Sequence, residues 1–138
     1  VRMYSARPGG TRYHPVLERL SAGTAGSVAL LAGGGVALVL GVLGELHSGP
    51  LPYVGYLALC ALVGRRSRPA AAPLIGLAAW LCRNAFAEHH HGELGWAGPW
   101  VEAGHYAVFT AAALLAALAA ALPRRSVRVA LLRPDRPV

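Results

Sequence analysis

The stretch AGTAGSVALLAGGGVALVLGVLG, running from Ala22 to Gly44, decides the fold. Its 23 residues carry no charge. At 1.5 Å per residue they make a helix of about 34 Å, enough to cross a hydrocarbon core of about 30 Å. The apolar core of a secretory signal is shorter, about 7–15 residues, so this run is expected to be a retained span. Ala25, Ala29, Gly33, Ala37 and Gly41 recur every four residues along it. Such a small-residue stripe lets helix backbones approach closely in lipid, where burial of apolar surface gives no drive. It serves packing inside a bundle or docking of a second copy or partner subunit through Ala29, Gly33, Ala37 and Gly41.

Working outward, the chain alternates apolar runs with short polar breaks. Residues 1–20 are polar and broken by Pro8, Gly9, Gly10 and Pro15, the composition of a surface segment. A bend, Glu45 to Pro50, separates the first span from a second apolar run, 51–64, of only 14 residues. Arg65, Arg66 and Arg68 stop that run; a third follows over 70–87 and a fourth over 101–122, before a basic tail over 124–138. The expected architecture is all-α: one integral membrane domain, a four-helix bundle with spans at about 22–44, 51–64, 70–87 and 101–122.

Composition agrees. The 138 residues are 55% hydrophobic and 14% charged, with a mean hydropathy of +0.45. A soluble domain carries about 25% charged residues, so an ordinary water-soluble enzyme is excluded. The net charge of +7 comes from 13 bases, all arginine, against six acids. Those arginines sit in blocks between apolar runs, with no aromatic platform or groove-reading motif, so nucleic acid is not the partner; the lipid bilayer is. Four spans place Arg2, Arg7, Arg12, Arg19, Arg65, Arg66, Arg68 and the five tail arginines on one side, leaving Arg83 alone toward the other. By the positive-inside rule both termini are cytoplasmic and the host is the cell membrane. Arginine without lysine, with abundant Ala, Gly and Pro, points to a GC-rich bacterial genome. Cys60 and Cys82, each inside an apolar run, are expected to be packing residues.

The remaining polar residues gather at the outer ends of the spans. His47, His89, His90, His91 and His105 lie there with Glu45, Glu88, Glu93 and Glu102. Imidazole and carboxylate are the usual ligands of zinc, copper or iron. Glu88 and His91 stand three apart, as do Glu102 and His105, and on a helix such pairs share a face. The leading ligand set is therefore Glu88, His91, Glu102 and His105, followed by His89, His90, His47 and Glu45. Paired Glu-x-x-His on facing helices is the di-metal carboxylate arrangement, but the second run supplies no carboxylate and that pattern is incomplete. A haem with His47, His91 or His105 as an axial ligand is a variant.

Other readings fit the same residues. An embedded enzyme could use Glu88 and Glu102 as acid or base with Arg83 beside them, acting on a lipophilic substrate. An accessory subunit would dock a larger membrane complex through the first helix. Arg83, inside an apolar run, is expected either to snorkel outward or to pair with Glu102 or Glu45 beside Asn84. Tyr53, Phe86, Trp96, Trp100 and Tyr106 read as an interfacial belt, and Trp80, deeper, as a packing residue.

Overall fold

The structure is a computed structural model that describes residues 4–5, 14–15, 18–47, 49–88, 94–122 and 126–127. Helix α1 spans Ala22–Val42, α2 Pro50–Arg66, α3 Ala72–Arg83 and α4 Pro99–Ala121. A 3-10 turn, Pro69–Ala71, leads into α3, and a π-helical turn, Asn84–Glu88, continues it. The chain is all-helical in class, and three helical stretches are long and apolar enough to cross a membrane: Ala22–Val42, Pro69–Ala87 and Pro99–Ala121. The chain divides into two compact units, Arg19–Ala120 and the flanking pieces Val1–Glu18 with Ala121–Val138. In the flanking unit, strand β1 (Tyr4–Ser5) pairs antiparallel with β2 (His14–Pro15) and with β3 (Ser126–Val127). The polar reading of residues 1–20 gave no sign of these two-residue pairings.

Local chemistry sets the ends of each helix. Ser21 caps α1, its hydroxyl accepting from the Thr24 backbone N–H at 3.4 Å. At the other end Gly44 takes a left-handed conformation, φ +72. The Gly44 N–H then donates to the Gly41 carbonyl at 3.1 Å and Glu45 N–H to the Leu40 carbonyl at 2.8 Å. Those two bonds satisfy carbonyls that the helix end leaves open, so α1 stops two residues short of the expected Gly44. Helix α2 is longer than the apolar run 51–64. Pro50 fits the first helical position, where no N–H is needed, and Arg65 and Arg66 extend the last turn. Its 17 residues reach about 25 Å, less than the other three stretches. Gly98, φ +123, precedes Pro99 at the start of α4.

The helices alternate in direction. Leu20 N–H donates to the Arg66 carbonyl at 2.9 Å and Arg68 N–H to the Leu20 carbonyl at 3.2 Å, which ties the start of α1 to the link between α2 and α3. Arg19 Nη1 donates to the Ala117 carbonyl at 3.4 Å, so α4 ends beside them. The start of α1, the α2–α3 link and the end of α4 thus share one end of the bundle.

Small residues make the contacts close. Ala25, Ala29, Gly33 and Ala37 are buried inside the bundle, whereas Gly41 is exposed. The stripe therefore seats α1 on its own bundle: a Cβ at Gly33 would lie 2.7 Å from Cys82 Sγ. Helix α4 is held in the same way. A Cβ at Gly64 would sit 2.9 Å from Ala113 Cα, and one at Gly76 2.8 Å from the Thr110 nitrogen. Tyr56, Phe109 and Ile75 fill the core, with the Tyr56 hydroxyl donating to the Gly33 carbonyl at 3.3 Å. Cys60 and Cys82 are free thiols buried in this packing, as expected. Leu31, Leu38, Val42, Leu62 and Leu115 face outward, an apolar exterior that suits lipid.

Candidate functional site

At the end of the bundle where α3 finishes and α4 begins, three polar side chains turn inward. Arg83 is 7% exposed, Glu102 3% and Asn84 0%. Trp80, Arg83 and Asn84 share one face of α3 by their three- and four-residue spacing, and Glu102 with His105 occupy the first two turns of α4.

Glu102 is held by two donors. Trp80 Nε1–H donates to its Oε2 at 2.8 Å and the Ala97 backbone N–H to its Oε1 at 3.1 Å. The second bond resembles the reach-back of a capping box, which satisfies an N–H that the helix start leaves open. Its carboxylate also lies where the positive end of the α4 dipole favours negative charge. A carboxylate so deep needs these donors, because an unpaired buried charge is costly.

Arg83 does not snorkel outward. Its Nη1 donates to His105 Nδ1 at 3.2 Å, and its guanidinium carbon lies 5.1 Å from the centroid of the Tyr53 ring, a cation–π distance. A guanidinium only donates, so His105 Nδ1 must carry a lone pair and its proton sits on Nε2. Tyr53 also meets the His105 ring edge-on at 5.8 Å and Phe109 at 5.3 Å. Asn84 makes two hydrogen bonds to one backbone position: its Nδ2 donates to the Gly95 carbonyl at 2.9 Å and its Oδ1 accepts from Gly95 N–H at 2.8 Å. This closes the segment 85–94 at its base. That segment carries Glu88, His89, His90, His91 and Glu93 in sequence.

The expected ligand set divides three ways. Glu102 and His105 are brought to one polar centre, each already hydrogen-bonded. Glu45 and His47 form a separate exposed pair, His47 Nε2 to Glu45 Oε2 at 3.0 Å, in the α1–α2 connection. Glu88 falls in the π-helical turn, while His89, His90, His91 and Glu93 lie outside the described residues. Among the described residues no three of His, Cys, Asp and Glu converge on one point.

Sequence reasoning missed three participants. Trp80, read as packing, is the main side-chain donor to Glu102; its i, i+3 relation to Arg83 was the available signal. Tyr53, read as a rim anchor, packs against the His105 and Phe109 rings and the Arg83 guanidinium, whereas the half-buried Tyr106 makes an exposed bond from its hydroxyl to the Pro73 carbonyl at 3.3 Å. Trp96 and Trp100 keep the exterior, with Trp100 88% exposed. Asn84 was seen only as a neighbour of Arg83, and its closure of the segment up to Gly95 was not foreseen.

Compared with known proteins, the chain matches no family model, no curated protein and no solved structure.

Proposed function

We propose that this chain is a multi-pass protein of the cell membrane, both termini cytoplasmic, that holds a transition-metal ion at its outer face. Zinc, copper and iron are the ions whose preferences fit imidazole and carboxylate ligands. The observation that carries the reading is the Asn84–Gly95 double hydrogen bond. It pins both ends of a ten-residue segment in which four of the residues are Glu88, His89, His90 and His91. A closed segment loses less freedom on gathering its ligands than an open one, which favours binding.

The neighbouring centre supports that segment rather than supplying its first ligands. With its proton on Nε2, away from the nitrogen that meets Arg83, His105 is available as a donor to a ligating carboxylate. Metal-bound groups are commonly held in this way by surrounding hydrogen bonds. Sidedness rests on arginine placement: the described blocks Arg19 and Arg65–Arg68 share one end of the bundle, opposite Arg83.

The test is a zinc and copper titration by calorimetry on the untagged protein in mild detergent. The triple variant His89→Gln, His90→Gln, His91→Gln is expected to bind at least about tenfold more weakly, and His47→Gln to bind as the parent does. Equal affinity in the triple variant overturns the reading.

A further inference from the structure

The end of the bundle opposite the polar centre carries Arg65, Arg66 and Arg68, all exposed, within four residues. The fold holds them in place. Leu20 bridges to Ser67 between them, and the buried Ser67 hydroxyl donates to the Val63 carbonyl at 2.7 Å, so the link from α2 to α3 has little freedom. Arg19 is already committed to the Ala117 carbonyl, at the negative end of the α4 dipole. Among the described residues no carboxylate pairs with the other three.

Leu62 lies four residues before Arg66 on α2, so the two share a face, and Leu62 is exposed. Leu74, one and a half turns into α3 from Arg68, is exposed as well. Exposed leucines on α2 and α3 thus flank the guanidinium cluster along the chain. Apolar side chains beside guanidinium groups suit a phospholipid, whose acyl chains and phosphate need one of each. Guanidinium groups suit the phosphate because their paired N–H donors match its oxygens.

We propose that Arg65, Arg66 and Arg68, with Leu62 and Leu74 beneath them, bind an anionic phospholipid headgroup selectively. The site rests on the membrane reading but not on the metal reading, and its residues belong to the α2–α3 link, not to the tail sequence. Each arginine near a membrane surface adds to the attraction for anionic lipid, so the three act together.

The test is mass spectrometry of the intact protein in mild detergent, titrated with phosphatidylglycerol, with phosphatidylcholine and with inorganic phosphate. The parent is expected to retain phosphatidylglycerol in preference to phosphatidylcholine, and inorganic phosphate is expected not to displace it. The variant Arg65→Gln, Arg66→Gln, Arg68→Gln should lose that preference by about tenfold, whereas Arg124→Gln, Arg125→Gln, Arg128→Gln should keep it. Should the first variant lose its helical circular dichroism, the single variant Arg66→Gln carries the test, with about a threefold loss. Equal retention of both lipids by the parent, an undiminished preference in the folded variants, or displacement by phosphate alone overturns the proposal; the last marks a site for free anions.

Discussion

The two ends of this bundle use arginine in opposite ways. At one end Arg65, Arg66 and Arg68 are exposed on a tied link between helices; at the other Arg83 is buried against His105 and the Tyr53 ring. The exposed group keeps its water, so replacing one member leaves the fold's stability nearly unchanged. The buried one has lost its water and depends on fixed partners, with Glu102 held nearby by Trp80 and Ala97. Burial therefore turns a residue that elsewhere marks a surface into part of a built centre.

Removing the buried carboxylate should break this contrast most visibly. Glu102→Leu leaves the Trp80 and Ala97 N–H groups without their acceptor and takes negative charge away from Arg83. The expected loss is about 3–5 kcal/mol in reversible unfolding by mixed micelles, against less than about 0.5 kcal/mol for Arg65→Gln. Equal losses at the two positions would erase the distinction between the ends.

A second pair of variants sharpens the role of close packing. Gly64→Ala forces a Cβ to within 2.9 Å of Ala113 Cα, a backbone atom that cannot step aside, while nothing lies within 4 Å of a Cβ at Gly34. The first should cost about 1–3 kcal/mol, and the second should gain up to about 1 kcal/mol from helix propensity. Asn84→Ala comes next: losing both bonds to Gly95 should cost about 1–2 kcal/mol and weaken metal binding in the same titration.

The smallest effects concern groups outside either network. Thr110 Oγ1 is buried with no hydrogen-bond partner among the described residues, so Thr110→Val should be neutral or stabilising by up to about 1 kcal/mol. His47→Gln breaks an exposed pair with Glu45 and should change stability by less than about 0.5 kcal/mol.

What the sequence made legible was whatever repeats along one helix. The apolar runs give α1, α3 and α4 because lipid demands long uncharged stretches, and the four-residue stripe marks the face of α1 that the bundle buries. Helix α2 was underestimated because hydropathy ends at charge, whereas a helix continues through Arg65 and Arg66. Contacts between helices were harder to read. Trp80 reaches Glu102 across 22 residues of chain, and an indole within an apolar run looks the same whether it packs or donates. Arg83 was expected either to snorkel or to pair with Glu102 or Glu45; it is buried with the His105 ring beside it, and the Glu102 carboxylate accepts from Trp80 and from Ala97 at its own helix start. Tyr53 shows the same limit: depth along a helix follows from sequence, and the direction around it follows from the neighbours.

The most direct test of the central claim is the metal content of untagged protein purified in mild detergent without nickel resin, measured by elemental analysis. The account predicts zinc, copper or iron near one atom per chain in the parent and its loss in the His89, His90, His91 variant. A folded parent that carries no such metal, and takes up none when it is supplied, would contradict it.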